Sequence, residues 1–461
     1  MLASFALFFT ALLVFSASKP LYAFFLIAVF AYGGFVTYYI VSNEIPVSEN
    51  LIALWHEMQP ADLAQPKLIL WVCLLITEAA ILVFNYIKII YANPFYRLRQ
   101  PFRFKFAGCL IALFAVLYVS LPAKALRSFV MFDMPSSFAV SAYRYGKSSD
   151  YIKEHSKLPM LPTENAFAGI PNITVILIIG NSFGAEHFNI YGYKRNTTPI
   201  LNGINKAVFY NARALSIYSR WTIPAMLTRD TNEGLQQDAS EQSMISFLRQ
   251  VGFFTSWISN QRFMSERHTT PITAIATEAD SAYFNKQLTA DKKHIERLDE
   301  ALLDHLDKQL AAEAANKFIV LHTIGSAEPI DSHYLKSFRL FTPTLSDKDL
   351  DTPLKEARAN SLDNSILYTD YFISEVIFRL KKINALVFYI SASADMSSNG
   401  DYRVPFIVWA SDKYKESNAA AYSKLTVNSK KELTHGNLFH SILDGAGITA
   451  DFLDLNKSIF R

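Results

Sequence analysis

An apolar run, ITVILIIG (173–180), stops at Gly180 and continues as Asn181-Ser182 before a short polar stretch. In α/β sheets chemistry gathers at the carboxyl ends of strands, where loops bring side chains together. A metal-dependent hydrolase of this shape needs a hard anionic ligand at such a turn. This chain offers Asn181, a neutral amide. Without a cation beside it, the Ser219 hydroxyl keeps its ordinary reactivity and reads as a polar surface or cap residue. A Ser-His-Asp triad would need His435 or His187 beside it, and nothing in the spacing argues for that. Glu186 and His187 read as capping or solvent-facing residues, and His322, inside KFIVLHTIG, as a core histidine.

The elements that must position these residues alternate from 171 onward. Strand-like runs are NITVILIIG, GFFTSWISN, KFIVLHTIG, ALVFYISAS and VPFIVWAS. Helical stretches lie between them: SEQSMISFLRQV, HIERLDEALLDHLDKQLAA and NSILYTDYFISEVIFRLKK. The last places Ile366, Tyr368, Phe372, Ile373, Val376, Ile377 and Leu380 near one helical face. Such alternation predicts an α/β fold, a mostly parallel sheet covered by helices on both faces.

Apolar residues are concentrated in the first quarter of the 461-residue chain. Four membrane-spanning helices are expected, at Met1–Ala17, Pro20–Ser42, Lys67–Tyr91 and Phe106–Leu121, against a requirement of roughly 20 apolar residues per span. Arg97, Arg99, Arg103 and Lys105 mark one loop as cytoplasmic, while the loop 43–66 has acids and no Lys or Arg. A cleavable signal peptide is the competing reading of Met1–Ala17, but no basic residue precedes its apolar run. Glu78, inside a span, could serve a function or pair with a neighbour. The expected layout is a transmembrane domain (1–121), a membrane-surface linker (122–170) and an external domain (171–461). A net charge of +3 without a basic stripe argues against nucleic acid as a partner. Both cysteines, Cys73 and Cys109, fall in spans, so disulfides, thiol chemistry and an aldehyde nucleophile made from cysteine are excluded from the external domain.

Several segments together resemble the membrane-bound phosphoethanolamine transferases of Gram-negative bacteria, in the alkaline phosphatase superfamily. They include GNSFGAEHFNIYGYKRNTTPIL (180–201), SRWTIPAMLT (219–228), KFIVLHTIGS (317–326), LDNSILYTDYFISEVI (362–377) and THGNLFHSIL (434–443), in the family's order. The resemblance implies an inner-membrane protein with a periplasmic carboxyl-terminal domain. It implies transfer of phosphoethanolamine from phosphatidylethanolamine to lipid A or the lipooligosaccharide core, through a zinc-activated Thr. Family members usually begin with five spans, and orientation requires the missing one here to be the first.

Carried over position by position, the resemblance assigns metal ligands to Asn181, Ala392 and Ser393, where the family has Glu, Asp and His. It assigns the nucleophile to Ser219, a substrate-contacting His to the position of Ala327, and a second one to His435. The neighbour of the second, Asp in the family, is Gly436. Losing every charged ligand removes the neutralisation a divalent cation depends on, so no cofactor is expected although the family uses zinc. Asp395 lies near enough in sequence to be considered as a substitute ligand. The expectation is a pseudoenzyme that binds an envelope lipid or an active transferase relative. The alternative is a transferase with a rearranged metal site.

Overall fold

The computed structural model describes residues 151–461 except 182, 216–218, 230–239, 262–269, 286–297, 328, 348–353 and 394–401. The expected spans, both cysteines, Glu78 and Asp395 lie outside the described residues, and among those described no helix is long and apolar enough to cross a membrane. Residues from Ser149 to Arg461 form one compact unit.

Its centre is β1 (Ile173–Gly180), all eight residues of which are buried. A strand hydrogen-bonded on both edges and covered on both faces has no polar side, which is why ITVILIIG reads as a continuous apolar run. Besides the short pair Phe167–Ala168 and Ile448–Thr449, the other strands are β2 (Ala207–Val208), β3 (Asn211–Arg213), β4 (Phe253–Ser259), β5 (Ser281–Phe284), β6 (Asn316–His322), β7 (Asn384–Ser391), β8 (Phe406–Ala410) and β9 (Glu432–Thr434). Seven of them form one sheet in the order β2-β8-β7-β1-β6-β4-β5. The run from β7 to β5 is parallel, but β8 runs against both β7 and β2, so the sheet is mixed. The reversal was hidden because VPFIVWAS is covered on both faces like its parallel neighbours, leaving no alternation to mark its direction. β3 and β9 pair separately, in parallel.

Odd and even residues of the sheet serve two cores. Val175, Leu177 and Ile179 face a core that includes Met226 of α1 (Ser219–Leu227), Phe247 of α2 (Met244–Gln250) and Phe439 of α5 (Gly436–Gly445). Ile176 and Ile178 face the core of α3 (Ala301–Leu310) and α4 (Leu354–Leu380). Each such side chain contributes about 1.5–3 kcal/mol by leaving water.

The helix α4 is longer than its apolar pattern suggests, and its second face is not a solvent face. Asn360, Ser361, Asp363, Asn364, Ser365, Thr369, Asp370 and Ser374 are all buried. That polar side is covered by chain from residues 185–201 and 330–347, whose backbone and side chains it bonds. Residues 151–170, expected as a membrane-surface linker, lie against the unit as far as they are described. Phe167–Ala168 pairs with Ile448–Thr449, and His155 bonds the buried Glu278 at 2.5 Å.

Candidate functional site at the strand ends

Gly180 closes β1 where the tyrosine ring of β7 crosses above it. A Cβ at this position would stand 2.8 Å from the Tyr389 hydroxyl, so a larger residue here would require the buried tyrosine ring to shift. The chain then turns, and its amides are taken up one by one. Ala392 N–H donates to the Gly180 carbonyl at 2.8 Å. Phe183 N–H donates to Ser391 Oγ at 3.0 Å, and that hydroxyl donates to the Ser393 carbonyl at 2.8 Å.

From the other side, Ser326 donates to the Asn181 carbonyl through both its N–H (3.3 Å) and its Oγ (3.0 Å). The turn that carries Ser326 requires Gly325 at φ +55°, with the Asn181 backbone packed against the space a Cβ would fill. Asp299 fastens the same turn, accepting from Ile324 N–H at 2.8 Å, Gly325 N–H at 3.2 Å and Asn260 Nδ2 at 2.8 Å. Burial raises its pKa to about 6 despite those donors.

Ser219 is the first residue of α1 and is half-buried. The helix is anchored to the strand end by Thr222, whose hydroxyl donates to the Ala392 carbonyl at 2.5 Å. His435 is wholly buried at the start of α5. Its Nδ1 accepts from Leu215 N–H at 3.3 Å, which leaves Nε2–H to donate to the Ser391 carbonyl at 2.9 Å. Burial lowers its pKa to about 4, so the ring is neutral near pH 7. Both nitrogens serve backbone groups, and neither faces a cleft in this conformation.

The structure therefore brings Asn181, Ala392, Ser393, Ser219 and His435 to one place, with Ala327 in the adjoining turn. Ala392 is buried and carries no donor, Ser393 is a buried hydroxyl and Asn181 is half-buried. No group of three or more His, Cys, Asp or Glu able to hold a metal ion occurs among the described residues.

Sequence reasoning missed the brace beside this site. His187 neither caps nor faces solvent alone: its Nδ1 bonds Asp363 Oδ1 at 2.8 Å. Asp363 Oδ2 accepts from the Tyr193 hydroxyl at 2.9 Å and Arg195 Nη1 at 2.8 Å. Burial, reinforced by that carboxylate, lifts the Tyr193 hydroxyl to about 12. One helical turn is skipped before Asp370 accepts from Ile200 N–H at 2.8 Å and Leu201 N–H at 2.9 Å. The signal was available: Asp363 and Asp370 are seven apart, on one stripe of α4 that they share with the apolar Ile366 and Ile377, so a carboxylate on it is carried inward. His322 is a core residue, bonded to Ser259 Oγ at 3.2 Å and set edge-on to Trp257. A cavity of about 350 Å³ opens between the brace segment and β8, lined by Glu186, Tyr191, Tyr193, Lys194 and Arg403 among others.

The profile of the family described as Sulfatase matches residues 173–448, more than half of the chain. The chain is 27% identical over 319 residues to the Kdo(2)-lipid A phosphoethanolamine 7''-transferase of Escherichia coli K12, covering 64% of this chain and 55% of that protein. It is 25% identical over 360 residues to phosphoethanolamine transferase EptC of the same strain, covering 70% of this chain and 60% of that one. It thus spans little more than half the length of these relatives. Among solved structures, the integral membrane lipooligosaccharide phosphoethanolamine transferase A from Neisseria meningitidis superposes with TM-score 0.74 at 19% identity, covering 98% of this chain and 90% of that one. The carboxyl-terminal periplasmic domain of Escherichia coli EptC, in complex with Zn, gives TM-score 0.58 at 24% identity, over 66% of this chain and 90% of that domain.

Proposed function

From the premise that this chain belongs to the sulfatase family and is homologous to lipid A phosphoethanolamine transferases, we propose that it is a zinc-free member acting by binding. Its ligand is an envelope lipid or an active transferase relative, held at the strand-end cleft. The observation that carries this reading is the donor set. An amide, a methyl group and a hydroxyl stand where the resemblance places three zinc ligands, and neutral oxygen donors do not supply the charge a divalent cation requires. The residues present do not fit zinc, so no step is derived through it. Ser219, without a cation beside it, has the reactivity of an ordinary hydroxyl.

The names of the relatives, an integral membrane protein, a periplasmic carboxyl-terminal domain and transferases to lipid A or lipooligosaccharide, support a setting in which the first part of the chain is a membrane anchor and this unit lies in the periplasm beside such lipids. The same names favour a second reading, an active transferase whose metal site has been rebuilt from other residues.

Metal analysis separates the two. Full-length protein purified without chelator is expected to hold far less than one zinc per chain. Stoichiometric zinc, removed by chelation together with lipid modification in a reconstituted assay, would sink the binding reading. The triple variant Asn181→Glu, Ala392→Asp, Ser393→His is expected to bind zinc; failure would show that the positions assigned here are not the ligand positions. In cells, the Ser219→Ala variant is expected to leave every phosphoethanolamine group on the lipooligosaccharide in place, as judged by mass spectrometry.

A further inference from the structure

We infer that Asp299 is a proton-operated latch: protonated, it holds the turn 324–326 closed against Asn181 at the strand-end cleft, and ionised, it lets that turn go. The fixed side of the latch is α3. Asp299 stands just before it, and its carbonyl accepts from Leu302 N–H at 3.0 Å. Its neighbour Glu300 is tied to α4, donating its N–H to the Tyr368 hydroxyl at 3.1 Å. The movable side is the turn. Thr323 anchors its base, because its N–H and Oγ1 donate to the Ile179 carbonyl at 3.0 and 2.9 Å. Beyond that hinge the Ile324 and Gly325 amides both meet the Asp299 carboxylate.

The carboxylate stands in a poor place for charge, only 3% exposed. Asn260, just past β4, and the phenols of Tyr368 on α4 and Tyr389 on β7 face it, none of them a cation. The acid next to it in the chain, Glu300, adds like charge. His322, at the end of β6, is turned instead toward Ser259 and Trp257. Burial therefore outweighs the three donors and raises the carboxyl to about 6. The two oxygens differ. Oδ1 takes the bonds of 2.8 Å from Ile324 N–H and Asn260 Nδ2, while Oδ2 has the longer one of 3.2 Å from Gly325 N–H. A proton on Oδ2 leaves both short bonds in place.

An opened turn gives the carboxylate to water, where it returns to the ordinary carboxylate range. The closed turn thus binds the proton more tightly than the open one. By linkage, acidification favours closure, and ionisation above about pH 6 favours opening. Opening reaches the site through Ser326, whose N–H and Oγ both donate to the Asn181 carbonyl. A released turn lets go of that carbonyl and uncovers the Asn181 side of the cleft. The latch sets when the cleft is open, and it is independent of whether zinc or a ligand is held there.

The test is hydrogen exchange on the full chain in a mild detergent, from about pH 5 to about pH 7.5, read at single amides and corrected for intrinsic exchange rates. Protection of the Ile324, Gly325 and Ser326 amides is expected to fall together by about tenfold across that range, the linkage of a carboxyl that moves between about 6 and its ordinary range. Amides within β1 are expected to keep their protection. Asp299→Asn retains an acceptor for Ile324 N–H and has no proton to lose, so its protection should not vary with pH. Flat protection of the three amides in the original protein overturns the latch, and so does an unaltered pH dependence in a folded Asp299→Asn variant. Ser326 staying protected while Ile324 and Gly325 open overturns it too, because the motion would not reach the site. Should the asparagine variant not fold, Asn260→Ala takes its place: losing a donor to the charged form raises the midpoint, and an unmoved midpoint overturns the latch. Zinc does not enter this measurement, so failure of the latch leaves the zinc-free reading standing, and stoichiometric zinc leaves the latch standing.

Discussion

On the polar side of α4, Asp363 gathers His187, Tyr193 and Arg195 around one buried carboxylate. A short distance along the sheet, the ends of β1 and β7 and the start of α1 are joined by backbone groups, hydroxyls and a neutral imidazole. The first region concentrates charge to hold its loop. The second holds its loops largely with neutral groups, the Asp299 carboxylate under the 323–326 turn being the exception described above. If the proposed zinc-free reading holds, the contrast gives a way for the strand-end site to keep its shape. Its backbone is closed on itself, and the segment that follows β1 is pinned from outside by the carboxylates of α4.

The strongest way to break this contrast is to remove the charged anchor. Asp363→Ala removes the buried acceptor shared by the half-buried His187, Tyr193 and Arg195, three hydrogen bonds at about 1 kcal/mol each, and is expected to destabilise the unit by about 3 kcal/mol in urea unfolding. A loss within a few tenths of a kcal/mol would mean that the brace is incidental. At the strand ends the largest single cost should come from Gly325→Ala. A side chain there combines left-handed backbone with overlap on Asn181, and about 2 kcal/mol is expected from unfolding midpoints. No change would show that the 323–326 turn is not held as described.

The neutral imidazole can be tested through pH. His435 has a folded pKa of about 4, below the ordinary histidine value. Its contribution is therefore complete above about pH 6.5 and is lost as pH falls toward 4, because only the unfolded chain takes up the proton. Asp299 and Asp370, both raised to about 6 by burial, act in the opposite sense and stabilise the unit as pH falls through that value. The difference between the original protein and His435→Gln isolates the histidine. Between pH 7 and 4.5 the original should lose about 2 kcal/mol more than the variant. Parallel pH curves would show that the ring is charged or exposed. The mildest change is Thr222→Val, which removes one hydroxyl bond to Ala392 and should cost about 1 kcal/mol, read from the thermal midpoint.

Much of this architecture is legible in the chain itself. The runs ITVILIIG, KFIVLHTIG and ALVFYISAS are apolar throughout because they lie inside a sheet covered on both faces. The glycine turn after β1 locates the site for the same reason that strand ends host it in other α/β folds. The identities Asn181, Ala392 and Ser393 suffice to show that no charged group stands at those positions, since a side chain's chemistry needs no neighbour to define it.

What a residue does with that chemistry depended on partners far away in the chain. His435 has the composition of a ligand, yet the carbonyl of Ser391 and the amide of Leu215 occupy both its nitrogens. The polar positions of α4, Asp363 and Asp370 among them, look solvent-facing until residues 185–201 and 330–347 are laid across them. The backbone bridge between Arg213 and Arg403 is invisible in sequence, because it arises only where β3 meets the chain leading into β8. Local patterns report which surfaces must leave water. Hydrogen bonds are decided by which distant segment arrives at a given face, and that is settled only when the sheet is assembled.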